Sequence, residues 1–181
     1  MRRRLFLFTA LIFVSCAHPP KQLPILGQVA PFQLTSQAGQ TFDSATLAGH
    51  IWVADFIFTN CEGPCPRMSA YMRALQKATA DLPDLKMVSF TVDPDRDSPS
   101  VMAEYAKRYH AEPERWIFLT GPKATLHHIT RDVFKLGDVS GALEHSTRFA
   151  LVDKKGRIRG FYASADSEAI RWPICQAMLL A

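Results

Sequence analysis

Short apolar runs and stretches with helical spacing alternate along this chain. Three continuous runs rich in β-forming residues predict buried strands. They are residues 50–58, 86–93 and 116–121. Three further stretches carry apolar residues three or four positions apart, which is the spacing of an amphipathic helix. They are residues 66–82, 96–110 and 122–136.

Helix-start signals support this assignment. Pro66 and Pro99 stand where the first turn of a helix is predicted, and that turn tolerates proline because its N–H groups have no helical partner. Asp97 or Ser98 can cap the second helix.

The C-terminal third has a different pattern. Residues 146–153 and 157–164 predict two strands, and the sequence KKG between them predicts a hairpin turn. A last helix is predicted from about Asp166, although Pro173 would break or kink it. Strands and helices that alternate and then end in a hairpin and a helix predict an α/β fold, with a sheet flanked by helices on both faces.

The first sixteen residues have the pattern of a targeting segment. A basic start precedes an apolar run from Leu5 to Val14, which is too short to span a bilayer comfortably and fits the core of a signal peptide. The sequence FVSC resembles a bacterial lipoprotein box, so we expect processing at Cys16, with residues 17–24 as a tether. A short N-terminal membrane anchor, or a cleaved signal in which Cys16 has no role, is the alternative.

We therefore expect residues 25–181 to form one exported domain, in the periplasm or at the outer face of the cytoplasmic membrane. A chain of 181 residues is long enough for one domain with a substantial core. The formal net charge is +4, but Arg2, Arg3 and Arg4 supply three of those charges, which leaves +1. A nearly neutral domain gives no support for nucleic-acid binding.

The candidate chemistry centres on two of the four cysteines. Cys61 and Cys65 flank the predicted junction between a strand and a helix, in the sequence TNCEGPCP. We expect an exposed, reactive pair whose thiol pKa is lowered by the nearby helix N-terminus. Such a pair can exchange disulfides, bind a soft metal, or form a static disulfide, which persists outside the cytoplasm. Cys175, in an apolar tail, is expected to be a buried and inert thiol.

Two thiolates do not complete a metal site, so a third ligand is needed. His145 precedes the predicted hairpin strand, which this fold can bring beside the cysteine loop. The five other histidines are expected to be solvated or packed. They are His18, His50, His110, His127 and His128.

Several other polar or soft side chains need an interpretation. Asp55 stands in the apolar run WVADFIF, where burial of a carboxylate is costly without a task or a partner. It is either a hydrogen-bonded structural carboxylate or a proton-transfer group. Asp93 and Asp97 are expected to cap a strand end and a helix, with a role in shaping the cysteine loop as the alternative. Met68 is expected to pack in the core.

Three motifs in order resemble the Sco/SenC family. They are "FTNCEGPCP", "VSFTVDPDRDSP" and "EHSTRFALVDKKGRI". The resemblance implies a thioredoxin-like fold with a mixed central sheet. It also implies a copper site formed by Cys61, Cys65 and His145, and delivery of copper to the binuclear copper centre of cytochrome c oxidase. The partner would be the subunit that holds this centre or another exported copper protein.

Two thiolates and one imidazole form a soft site that suits Cu(I) and can also take Cu(II), whereas structural zinc would require a fourth protein ligand. The leading hypothesis is therefore a copper chaperone rather than a turnover enzyme. The alternative is a thiol–disulfide oxidoreductase that keeps a partner's copper-binding cysteines reduced, with Asp55 in proton transfer as in thioredoxins. Residues 141–149 lack the proline that thioredoxins carry there, which argues against a general thioredoxin. A redox or copper sensor is a third hypothesis.

Overall fold

The computed structural model describes residues 23–136, 147–163 and 174. These residues form eight strands and three α-helices. The strands are β1 (Gly27–Gln28), β2 (Gln33–Ser36), β3 (Thr41–Asp43), β4 (Ile51–Ile57), β5 (Leu85–Thr91), β6 (Trp116–Thr120), β7 (Arg148–Val152) and β8 (Arg157–Ala163). The helices are α1 (Cys65–Ala78), α2 (Pro99–Arg108) and α3 (Lys123–His128). A 3₁₀ turn (Ser44–Leu47) precedes β4, and a π-helical turn (Ile129–Val133) continues α3.

The strands form one mixed sheet in the order β1-β8-β7-β4-β5-β6-β2-β3. The central strands β4, β5 and β6 are parallel, and the other pairings are antiparallel. The carboxyl ends of β4 and β5 therefore lie side by side at one edge of the sheet. The loops that follow them are the usual place for a functional site in such a sheet.

Helices cover both faces of the sheet, as the sequence predicted. Val53 and Ile57 of β4 pack with α1 and α2 in one apolar cluster. Trp52, Ala54 and Phe56, on the opposite face, pack in a second cluster with residues of α3 and of the π-helical turn. Because successive side chains of a strand point to opposite faces, the continuous apolar run in β4 is buried on both sides.

The predicted central strands, the hairpin and the three described helices are confirmed, with ends displaced by a few residues. Ser98 caps α2, since its side chain accepts a hydrogen bond from the N–H of Val101. Asp97 does not cap this helix. The predicted terminal helix lies outside the described residues except for Ile174, which is buried. The sequence pattern did not indicate the short strands β1–β3.

Strand β1 lies at the lateral edge of the sheet, beside β8. Strand β1 is antiparallel to β8, and β8 runs in the same direction as β4. Arg159 of β8 donates hydrogen bonds to the carbonyls of Leu23 and Pro24, and to the carboxylate of Asp153. Leu23 and Pro24, which the sequence analysis assigned to the tether, thus contact the sheet. Among the described residues, no helix is both long and apolar enough to cross a membrane.

Candidate metal and redox site

Cys61 and Cys65 lie together between β4 and α1. The N–H of Cys61 donates to the carbonyl of Phe58 at 3.3 Å, which closes a turn directly after β4. Cys65 is the first residue of α1, and Pro66 follows it in the first turn. Both cysteines are free thiols, and their side chains lie close enough to interact with each other. The pair can therefore chelate one ion or close to a disulfide.

Both thiols are buried, which corrects the expectation of an exposed pair. Cys61 is 8% exposed and Cys65 is 0% exposed. The pKa of the Cys65 thiol is raised from 9.0 to about 12, chiefly by burial and then by the contact with Cys61, while a backbone hydrogen bond from Phe58 opposes this rise. The prediction of a lowered pKa is therefore wrong for Cys65, because desolvation outweighs the helix N-terminus. A bound cation reverses this balance, since a coordinating thiol is deprotonated.

Asp55 lies in the sheet on the face that packs against α1 and α2. It is completely buried, and its Oδ1 accepts a hydrogen bond from Ser89 Oγ at 2.5 Å. Ser89 Oγ in turn accepts from Trp116 Nε1 at 2.8 Å. The other carboxyl oxygen, Oδ2, has no hydrogen-bond partner among the described residues.

The environment of Asp55 fits a group that gains and loses a proton near neutral pH. Burial raises its pKa from 3.8 to about 7, and the hydrogen bond from Ser89 only partly opposes this rise. The charge of Asp55 in turn raises the pKa of Cys65. Both roles considered from the sequence remain compatible with this geometry, because one oxygen is hydrogen-bonded and the other has no partner in the described part of the chain.

The apolar surroundings of the pair come from α1, α2 and the sheet. Met68 is completely buried in the same cluster as both cysteines, as expected for a core residue. Met72, Met87 and Met102 belong to that cluster as well. This packing excludes water from the sulfur of Cys65, which is why desolvation dominates its pKa.

Asp97 links the cysteine loop to the end of β5. Its carboxylate accepts hydrogen bonds from the N–H and the hydroxyl of Thr59 and from the hydroxyl of Thr91. Asp97 is 1% exposed, so these contacts are shielded from water. The preferred prediction of a helix cap is therefore wrong, and these contacts support the alternative, a role in shaping the cysteine loop.

Asp93 stabilises the turn that follows β5. Its N–H donates to Thr91 Oγ1 at 2.9 Å, and its carboxylate lies 2.9 Å from Nε of Arg96. That ion pair does not have hydrogen-bond alignment, since Asp93 Oδ2 has no hydrogen-bond partner among the described residues. The residue shapes the end of the strand, which agrees with the simpler of the two interpretations.

None of the four histidines in the described part of the chain forms a metal-binding group with the cysteines. His50 contacts the carbonyl of Asp84, and His128 pairs with Asp132. His110, two residues after the end of α2, and His127 are both exposed. Within residues 23–136, 147–163 and 174, no group of three or more His, Cys, Asp or Glu side chains could hold a metal ion. His145 lies outside the described residues, so its place in the site stays a prediction.

A cleft of about 390 Å³ opens between the cysteine loop and α2. Its walls are formed by Thr59, Asn60, Ser100, Val101, Glu104, Tyr105 and Arg108. Thr59 therefore faces the cleft on one side and Asp97 on the other.

Known proteins resemble this chain over nearly its whole described length. A protein-family model described as SCO1/SenC matches residues 25–177. The SCO1 protein homolog of Bacillus subtilis is 34% identical over 170 residues, which cover 89% of this chain and 88% of that protein. A Stutzerimonas stutzeri protein with a provisional copper-binding name is 31% identical, over 76% of this chain and 70% of that protein.

A solved structure has the same fold. BsSco is described as a member of the Sco family of cytochrome c oxidase assembly proteins. It matches with a TM-score of 0.77 and 31% identity, over 89% of this chain and 100% of that chain. The mixed sheet with helices on both faces is thus the thioredoxin-like fold that the motifs implied.

Proposed function

Because the chain belongs to the SCO1/SenC family, we propose that it is a copper chaperone. It binds one copper ion through Cys61, Cys65 and His145 and delivers it to the copper centre of cytochrome c oxidase. The recipient is the subunit that holds this centre or another exported copper protein. The description of BsSco as a member of a family of cytochrome c oxidase assembly proteins supports the link to the oxidase. The copper-binding name of the Stutzerimonas relative supports copper as the metal.

The observation that carries this proposal is the contact between two buried thiols at the end of β4. Burial disfavours two thiolates that have no cation beside them. The same two sulfurs are favourable ligands for a soft cation such as Cu(I). Copper loading releases the thiol protons, so affinity rises with pH. A site with three ligands leaves a position at which a partner's cysteine or histidine can attack the ion and remove it.

Delivery outside the cytoplasm also requires a location, and we propose that the domain is exported and held at the membrane through Cys16 or an N-terminal anchor. The basic start, the apolar run from Leu5 to Val14 and the sequence FVSC support this arrangement.

The environment of Asp55 supports a second candidate function, that of a thiol–disulfide oxidoreductase acting on a partner's copper-binding cysteines. The pKa of its carboxyl is raised to about 7 by burial, and its charge acts on Cys65. A base with this pKa suits proton removal from a second thiol near neutral pH. This function uses the same two sulfurs but does not require His145.

A pair of substitutions separates the two functions. In the chaperone, His145→Ala lowers copper affinity strongly and leaves the thiol–disulfide exchange rate nearly unchanged, whereas Asp55→Asn slows exchange and spares copper. His127→Ala is the matched control, since His127 is exposed and belongs to no metal cluster of the described residues. The measurements are a Cu(I) competition titration, the thiolate-to-Cu(II) charge-transfer bands and the rate of exchange with a small disulfide.

Binding of one ion per chain that depends on His145 supports the chaperone. Unchanged copper affinity in His145→Ala, together with a large loss of exchange in Asp55→Asn, contradicts it and supports the oxidoreductase.

A further inference from the structure

We infer that Asp97 is a positioning residue for the cysteine pair. Its buried carboxylate fixes Thr59, and Thr59 fixes the Cys61 end of the loop against Cys65. The inference deepens the proposed function and rests on the two sulfurs acting as a unit, which both the metal carrier and the oxidoreductase require.

The carboxylate of Asp97 connects the loop after β4 to the end of the neighbouring strand β5. Oδ1 accepts from the hydroxyl of Thr59 at 2.5 Å, and Oδ2 accepts from the N–H of Thr59 at 3.1 Å. Oδ2 also accepts from the hydroxyl of Thr91, the last residue of β5, at 2.5 Å. Hydrogen bonds to a charged acceptor are stronger than those between neutral groups. One side chain therefore ties the loop after β4 to the end of β5.

The tie at Thr59 reaches Cys61 through a short and closed piece of chain. Only Asn60 separates the two residues, and the N–H of Cys61 donates to the carbonyl of Phe58. The turn from Phe58 to Cys61 is thus closed by its own hydrogen bond and held from outside at Thr59. A displacement of Thr59 would carry the sulfur of Cys61 with it.

Asp97 has no other evident task among the described residues. Ser98 caps α2, so the helix start does not depend on the Asp97 side chain. The N–H of Asp97 donates to the carbonyl of Asp93 at 2.9 Å, which places its backbone within the turn after β5. A carboxylate at 1% exposure is costly to bury, and the donors it satisfies are those of the cysteine loop and of β5.

The other sulfur is fixed independently. Cys65 is in α1 and is completely buried, so the helix and the core hold it. The distance between the sulfurs therefore depends mainly on the Cys61 side, and the bonds of Asp97 to Thr59 and Thr91 restrain that side. Loosening them lowers the effective concentration of one thiol at the other.

The test is the equilibrium of the Cys61–Cys65 pair with reduced and oxidised glutathione, measured on the full chain in detergent. Cys16→Ser and Cys175→Ser are present throughout, so that only this pair titrates. Asp97→Asn and Thr59→Val loosen the loop, and we expect each to lower the disulfide-forming constant by about tenfold or more. Thr59→Ser keeps the hydroxyl and should restore the constant to within about twofold of the unmodified protein.

Ser98→Ala is the matched control for loss of stability, because it removes a side-chain hydrogen bond one residue away without touching the loop. It should lower stability to urea and leave the glutathione constant within about twofold. If Thr59→Val and Asp97→Asn lower stability but leave that constant unchanged, the positioning role is wrong and Asp97 only stabilises the fold. Should Asp97→Asn fail to fold, Thr59→Val decides the question.

A Cu(I) competition titration on the same variants keeps this inference distinct from the proposed function. A shifted glutathione constant in the variants, together with no copper binding by the chain in which Asp97 and Thr59 are intact, would support the positioning role of Asp97 and overturn the chaperone. Normal copper binding with an unshifted glutathione constant would support the chaperone and overturn the positioning role of Asp97.

Discussion

Replacement of Asp55 by asparagine should change how the stability of the domain depends on pH. Burial raises the pKa of Asp55 from 3.8 to about 7 in the folded protein. Between these two values the unfolded chain loses the proton and the folded chain keeps it. Because the folded state binds more protons in this range, its stability falls as pH rises through the pKa of about 7. The amide introduced by Asp55→Asn would carry no charge at any pH, so this loss would disappear.

The magnitude follows from the difference between the two pKa values. One pKa unit corresponds to about 1.4 kcal/mol, so the ionised carboxylate costs the folded state about 4 kcal/mol at pH 8. About 3 kcal/mol of this lies between pH 5 and pH 8. The new amide nitrogen would replace Oδ2, which has no hydrogen-bond partner among the described residues, and this costs about 1–3 kcal/mol at every pH. The pH-dependent difference is therefore the informative quantity.

The assay is urea unfolding at a series of pH values from 5 to 8, with a reductant and a chelator present so that the thiols stay reduced and free of metal. The free energy of unfolding of the unmodified protein should fall by about 3 kcal/mol more than that of Asp55→Asn. Asp43→Asn is the matched control. Asp43 lies at the surface, and its pKa is lowered by the backbone N–H of Ala45, so its titration lies below this range.

A difference between the two proteins that stays constant from pH 5 to pH 8 would refute the reasoning. It would mean that Asp55 does not titrate near neutral pH. The base of the oxidoreductase hypothesis would then be lost, while the copper ligands would be unaffected.

Two further predictions concern the edge of the sheet where the chain joins it. Arg159→Ala removes the hydrogen bonds to Leu23 and Pro24 and leaves the buried carboxylate of Asp153 with fewer partners, so it should destabilise the domain by about 2–4 kcal/mol in urea. Proteolysis near Leu23 should also become faster, and an unchanged cleavage rate would contradict the anchoring role. Gly156→Ala should cost about 1 kcal/mol in thermal unfolding, because residue 156 has a φ of +72° and the added Cβ would lie 3.0 Å from Gln28 Nε2. A variant at least as stable as the unmodified protein would contradict this.

Local patterns in the sequence predicted most of the central fold. The runs around β4, β5 and β6 are apolar at nearly every position because both faces of the sheet are covered, and that is visible without coordinates. Pro66 and Ser98 mark helix starts through their own backbone chemistry. The strands β1–β3 escaped prediction because they are two to four residues long and have mixed burial, so their pairing partners define them.

The candidate site, like the fold, was predictable from the sequence only in part. The positions of Cys61 and Cys65 at a strand–helix junction, and the buried acid Asp55 behind them, follow from the sequence because each depends on neighbouring residues. His145 was predicted as the third ligand, and this stays a prediction. For Asp97 the sequence favoured a helix cap over a role in shaping the cysteine loop, since its partner Thr59 is 38 residues away in the chain.

The sequence by itself determined which residues form the central strands and helices and where the thiols lie along them. Only the tertiary structure decided how much water reaches each group, and hence that burial raises the pKa of the Cys65 thiol where its helix position alone favoured a lowered one. The physical reason is that periodicity and capping depend on residues within one or two turns. Desolvation depends on the apolar cluster that contains Cys65, which residues of β4, β5, α1 and α2 form only when the chain folds.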